Sequence, residues 1–451
     1  MNADAAPPRP AAAAPPRPKL FYGWIVVAIA FVTMAVAITG RTAYSLLLPE
    51  IIGEFGWSTG VTSGAFAVGF IATTFIMAPT GMLMDRYGPR LVIPLAAVLV
   101  AVGFVLATAL ATPLELYLSL GVLVTTCSVG MSYIGHSMFL PNWFVRRRGL
   151  AIGIAFAGVG IGGVVMLPVL QLVIDDFGWR AACFAMAAAI AVIVIPLNVL
   201  FQRRSPADLG LEPDGDARAG SAAAGVAASR SPDPVVDRVW AERRWTLSSA
   251  MRTARFWWVC VAFFGGLFVW YALQVHQTRF LIGAGFSTGE AALALGLVAF
   301  CGLIGQIALG GFSDRFGREL AWTLAMAGFA LAAACFIVLG RTPSTAALYG
   351  AVALQGLLGY GAASIYGAIP AELFAGRRFA SIFAMATLGG NFGAAAGAWS
   401  LGAIYDRTGS YETGFAVCIV MSMMSIVAVW LAAPRRVRLV AGQARRRPRA
   451  G

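Results

Sequence analysis

"GMLMDRYGPR" (81–90) and "GGFSDRFGRE" (310–319) are near copies of one charged turn in an otherwise strongly apolar chain. Each holds an Asp-Arg-aromatic-Gly core with an arginine just beyond it, and Asp85 and Asp314 lie 229 positions apart. At the same offset "GWST" (56–59) meets "GFST" (285–288), and Pro141 meets Pro370. Slightly out of step, "RRRGLAIGIAFAGVGIGG" (146–163) echoes "GRRFASIFAMATLGGNFG" (376–393). The chain therefore reads as two copies of one unit.

Working outward, the 451 residues are 59% hydrophobic and only 12% charged, where a soluble domain carries about 25% charged residues. Apolar runs of about 20 residues point to membrane helices, because in lipid only a helix or a closed barrel satisfies the backbone. Twelve segments are expected, at roughly 21–48, 60–84, 90–111, 114–139, 149–172, 179–202, 256–281, 288–312, 319–340, 345–373, 378–403 and 412–433. The fold class is all-α membrane protein, with two six-helix bundles at 21–202 and 256–433. Residues 1–20 read as a disordered Ala/Pro-rich tail, 203–255 as a soluble linker ending in a surface helix, and 434–451 as an Arg-rich tail.

Charge sets the orientation. All 33 Lys and Arg except Arg41, Arg180, Arg279, Arg341 and Arg407 fall in the tails, in the linker or in the turns after segments 2, 4, 6, 8 and 10. The positive-inside rule then puts both termini in the cytoplasm. The net charge of +13 belongs to these flanks, so nucleic acid is not an expected partner. Six is an even number, so both bundles enter the membrane the same way, giving a parallel repeat about the membrane normal. No phosphate-cradling GK[ST], HExxH or Asp-rich cluster appears, so no cofactor, metal or enzyme activity is expected. Cys127, Cys183, Cys260, Cys301, Cys335 and Cys418 lie in apolar segments and read as small packing residues.

The twin turns resemble the major facilitator motif G-x-x-x-D-R-x-G-R-R. Gly81, Asp85, Arg86, Gly88 and Arg90 match it in the first copy, and Gly310, Asp314, Arg315, Gly317 and Arg318 in the second. Pro89 and Glu319 depart from it. The resemblance implies a secondary transporter whose turns lock the cytoplasmic gate. "FYGWIVVAIAF" (21–31), "NWFVRRRGLAIGIAFAGVGIGG" (142–163) and "VHQTRFLIGAGFST" (275–288) are similar to stretches of bacterial relatives of the monocarboxylate transporters and oxalate–formate antiporters. That likeness covers about 20–434. It implies a small organic anion, a monocarboxylate, as substrate, with a proton co-transported and the functional unit a monomer in a bacterial inner membrane. Many members carry a cation in segment 8; here "GEAALALGLVAFCGLIGQIALGG" (289–311) offers Gln306 instead.

Arg41 is the candidate for the anion. A charge in a membrane segment costs about 2.5–3.5 kcal/mol on insertion scales, and mammalian relatives have a lysine near this point. Helical rise puts it roughly 25 Å from Trp24, in the outer half of its segment, where snorkelling to the interface is the alternative. Tyr44 follows one turn later. His136 and His276 are the two histidines, each either a proton carrier or a packed hydrogen-bonding residue. Gln274, Gln306, Tyr360, Tyr366 and Asn391 are neutral candidates for a midplane cavity, and Trp270 and Tyr271 for its lining. Two other readings stand beside this one. An exporter of a hydrophobic or cationic compound needs an acid in the cavity, and a membrane sensor needs a signalling domain.

Overall fold

The computed structural model describes residues 21–144, 148–212, 235–374, 379–440 and Gln443, excepting the side chains of Ala78, Asp85, Ile134, Pro141, residues 148–150 and Ala380. The expected tail over 1–20 and much of the linker and C-terminal tail lie outside these residues. Twelve long helices follow in order: α1 (Tyr22–Phe55), α2 (Thr59–Tyr87), α3 (Pro89–Ala107), α4 (Pro113–Ser137), α5 (Arg148–Phe177), α6 (Trp179–Phe201), α7 (Ala254–Gly283), α8 (Thr288–Phe316), α9 (Arg318–Arg341), α10 (Thr345–Leu373), α11 (Phe379–Thr408) and α12 (Glu412–Ala432). Eleven are long and apolar enough to cross a membrane. The twelfth, α11, is 30 residues long but dilutes its apolar content with Gly389, Gly390, Asn391, Gly393 and Gly397.

The repeated turn is a corner with almost no loop. Gly88 alone separates α2 from α3, and Gly317 alone separates α8 from α9. Their φ values of 74° and 117° are open to glycine and strained for other residues. A one-residue reversal between two membrane helices needs that freedom, which is why the motif repeats its glycine.

Most bounds fall within about five residues of those expected, with α5 and α11 each running five residues further, and two helices are irregular. α1 runs to Phe55 rather than 48, with a break at Ala43 that separates Tyr22–Thr42 from Tyr44–Phe55. Pro49 looks like a stop but sits inside the second piece. Arg41 therefore lies near the middle of the whole element, not toward its outer end. α4 is irregular: a π-helical stretch over Tyr117–Thr126 gives way to a 3-10 turn at Ser128–Met131 and then to Tyr133–Ser137. α10 has the same sequence of forms, π at Leu354–Leu358 and 3-10 at Gly359–Gly361.

Packing is dense where glycine removes a side chain. A Cβ on Gly158 would lie 2.2 Å from the Phe31 carbonyl, and one on Gly393 would lie 2.1 Å from that of Phe264. Small residues let helix backbones approach where lipid offers no hydrophobic drive between helices. One side of α5 thus presses on α1, while Gly160 and Gly163 press on Ala299 of α8. Two large apolar clusters result. One is built on α1–α6, with a few residues from α7, α8 and α11; the other spans Trp245–Val437. Large apolar side chains on the outer faces, such as Phe177, Val192 and Ile307, remain exposed, as expected of a lipid-facing surface.

The two ends of the bundle differ. At the end remote from the described termini, hydrogen bonds cross between the first six helices and the last six. Ser45 Oγ donates to the Val275 carbonyl at 3.0 Å, Thr59 and Gly60 amides donate to Asp406, and Thr288 donates to Asp175. At the opposite end the bonds at the two corners stay within one half: Arg90 Nε donates to the Val199 carbonyl, and Arg318 holds Asp314 and Glu372. There the linker helices Arg238–Glu242 and Leu247–Met251 dock on the second half, with Trp240 Nε1 donating to the Leu373 carbonyl at 2.7 Å.

Candidate functional site

Just before the break in α1, Arg41 turns into the space between the halves. Its Nη2 donates to the Tyr271 hydroxyl of α7 at 3.2 Å. The guanidinium carbon lies 5.7 Å from the Tyr271 ring and 5.9 Å from that of Phe70 in α2, in reach of a cation–π contact. Tyr271 packs on Phe70 with centroids 4.2 Å apart. Arg41 Nε is buried and has no partner, and no carboxylate among the described residues pairs with the group. A guanidinium with a spare donor and no internal counter-charge can receive a carboxylate.

Other helices close around it. Trp270 stacks on Tyr360 of α10, centroids 3.9 Å apart and planes at 15°. Tyr133 of α4 lies beside Gln306 of α8, and Arg41 is near both Tyr133 and Tyr360. Gln274 Nε2 donates to Thr42 Oγ1 at 3.3 Å, leaving Oε1 unpartnered. Arg41, Trp270, Tyr271, Gln274, Gln306 and Tyr360 thus share one neighbourhood drawn from both halves.

The remaining candidates lie elsewhere. Tyr44 is buried, and its hydroxyl donates to the Thr62 carbonyl, tying α1 to α2. His276 Nε2 lies 2.8 Å from the Ala398 carbonyl and Nδ1 lies 3.3 Å from the Tyr411 hydroxyl. An Nε2–H donating to the carbonyl leaves Nδ1 to accept from tyrosine, so the ring is fully used in joining α7 to α11 and to the turn before α12. His136 is buried, with Nδ1 3.0 Å from the Ser132 carbonyl and Nε2 unpartnered among the described residues. Tyr366 stacks on Phe263 at 3.8 Å. Asn391 Nδ2 donates to Thr74 Oγ1 of α2 at 3.0 Å, a link between halves.

At the second corner Arg318 holds Asp314 at 2.7 Å and Glu372 at 3.4 Å, and also donates to Ser313. Gly310 lies against Ser364, and Arg315 lies over Phe316. At the first corner Arg90 Nε donates to the Val199 carbonyl at 2.7 Å, Arg86 lies over Tyr87, and Gly81 is near Met138. The Asp85 side chain lies outside those described. Sequence reasoning missed Tyr133, Phe70 and Thr42, which are ordinary in their own segments and gain significance only from what they face.

Comparison with known proteins places this arrangement. The model of the Major Facilitator Superfamily matches residues 30–365 and 285–450. The chain belongs to the Major Facilitator Superfamily. Among curated members, it is 27% identical to mouse (Mus musculus) monocarboxylate transporter 11 over 409 residues, 88% of this chain and 84% of that protein. It is 24% identical to bovine (Bos taurus) monocarboxylate transporter 13 over 403 residues, 88% and 86% of the two chains. Among solved structures, a bacterial homologue of the human lysosomal transporter Spinster superposes with a TM-score of 0.64 at 17% identity, covering 93% of this chain and 97% of that one. The nucleoside transporter NupG superposes at 0.69 and 13% identity, covering 91% and 100%. Those structural likenesses speak to the superfamily fold alone. The protein is a membrane transporter, homologous to monocarboxylate transporters, and not an enzyme.

Proposed function

We propose that the chain carries a small organic anion, a monocarboxylate, across a bacterial inner membrane by alternating access, with a proton co-transported. Arg41 supports this best: an interior guanidinium, shared between the halves, with a free donor and no carboxylate partner among the described residues. Its fork can hold a carboxylate while Tyr271 and Gln274 orient it. Residues 21–202 and 256–433 would rock as two units around this point, joined by the linker over 203–255, in a protein working as a monomer. With both termini cytoplasmic, the end joined by cross-half hydrogen bonds would face outward, and the Arg41 site would open toward the cytoplasm.

Co-transport of a proton lets the anion cross as a neutral pair, avoiding movement of net charge through the membrane field. His136 has an unused ring nitrogen, whereas His276 has both engaged. His136 or the substrate itself is therefore the proton carrier in this reading. An exporter of cations is disfavoured, because no acidic side chain joins the Arg41 neighbourhood among the described residues.

The test is uptake into proteoliposomes over a panel of labelled monocarboxylates, dicarboxylates and amino acids, with and without an inward proton gradient. Saturable monocarboxylate uptake accelerated by the gradient is expected. Uptake that is indifferent to a collapsed gradient replaces symport with exchange. Transport of none of the carboxylates overturns the substrate class.

A further inference from the structure

We propose that Asp406 and Asp175 are cross-half latches, each holding the remote end shut by seating on the first turn of a helix in the opposite half. Asp406, at the end of α11, accepts the Thr59 amide at 2.7 Å and the Gly60 amide at 2.6 Å. Asp175, at the end of α5, accepts the Thr288 hydroxyl at 3.0 Å and the Gln171 amide at 2.9 Å. Thr59 and Thr288 are the threonines of the repeated "GWST" and "GFST", one offset of 229 apart. The repeated tetrapeptide is thus the receiving side of both latches.

The two copies differ in how much they need the partner. Helix α8 completes its own start: Ser287 and Glu290 form a reciprocal capping box. Helix α2 has Ser58 at its cap but no acid in its first turn, because Val61 stands where the second copy has Glu290. Its first orphan amides find their acceptor only across the interface, and negative charge there also complements the helix dipole. When the halves part at this end, Thr59 and Gly60 are returned to water. The first latch is therefore the stronger one. Close approach is built in, since a Cβ on Gly402 would lie 2.5 Å from Ser63 Oγ and 2.8 Å from the Thr59 carbonyl.

This inference rests on the rocking motion proposed above, and the experiment separates the two. Spin labels are placed at Ala111→Cys and Ala346→Cys, exposed positions in the remote turns of opposite halves, in a background with the native cysteines replaced. Distances are then read by double electron–electron resonance in nanodiscs, with a label pair inside one half as the fold control. Two interconverting distances are expected. Asp406→Ala should shift their ratio about tenfold toward the long distance, the size of a lost helix cap. Asp406→Asn, which keeps the shape and one acceptor, should shift it about threefold and carries the test if the alanine variant fails its fold control. Asp175→Asn should shift it less than Asp406→Asn. Two distances in wild type with a ratio unchanged in the Asp406 variants overturns the latch and leaves rocking standing. A single short distance in every variant overturns rocking, and the latch with it.

Discussion

At Arg41, charge and geometry can be removed separately. Arg41→Gln deletes the charge, and a hydrogen bond to a charged group is worth about 1.5–3 kcal/mol, or about tenfold and more in affinity. We expect it to abolish anion uptake in proteoliposomes, with Arg41→Lys retaining part of the activity because charge survives and the planar fork does not. Wild-type uptake by Arg41→Gln would remove the group from the site. Tyr271→Phe asks a narrower question. It keeps the ring against Phe70 but removes the hydroxyl that receives Arg41 Nη2. An apparent KM raised about threefold at an unchanged maximal rate is expected, from the loss of about 0.5–1.5 kcal/mol in orienting the cation. The sequence singles out Arg41 because a lone charge in an apolar run is conspicuous. It cannot single out Phe70 or Tyr133, because their meaning lies in partners on other helices. Tyr44 shows the converse: one turn from Arg41 along the chain, its hydroxyl is taken by α2.

Helix ends were largely legible, since glycine and capping residues punctuate apolar runs and lipid demands helices between them. The end of α1 was not. Proline usually closes a helix, but here the chain restarts at Tyr44, leaving Pro49 in a second piece that the Ser45 hydroxyl ties across to the Val275 carbonyl of α7. The glycines of α5, α8 and α11 look alike in sequence and do different work in the structure. Gly393 seats α11 on α7 within one half, whereas Gly296 faces the Gly163 carbonyl across the halves, where an added Cβ would lie 2.5 Å away. Gly393→Ala should lower thermal stability by about 1–3 kcal/mol in a purified-protein melt, the usual scale of overpacking. Gly296→Ala should spare the melt more and slow transport, because its clash exists only while the remote end is closed. Equal losses of stability in both would refute this division.

Across the whole molecule, the cross-half hydrogen bonds lie at the midplane and the remote end, while the corners at Gly88 and Gly317 carry bonds that stay within their own halves among the described residues. Arg318 with Asp314 and Glu372, and Arg90 with the Val199 carbonyl, brace each half separately. The linker shows the same economy. Its described portion from Val235 to Thr253 belongs to the second half, through Trp240 on Leu373, the Val236 amide on Val437, and the cap of Thr253 on α7. Its portion up to Glu212 follows the first half, where Trp143 Nε1 donates to the Arg203 carbonyl. Each half has its own main apolar cluster, the first joined by a few residues of α7, α8 and α11. The described linker residues before 213 and after 234 thus attach to different halves. Two genes, one ending after Glu212 and one starting before Val235, should complement each other when expressed together, and the two polypeptides should co-purify and transport at a rate near that of the single chain. The covalent tie would then serve stoichiometry during synthesis, delivering one copy of each half to the same patch of membrane.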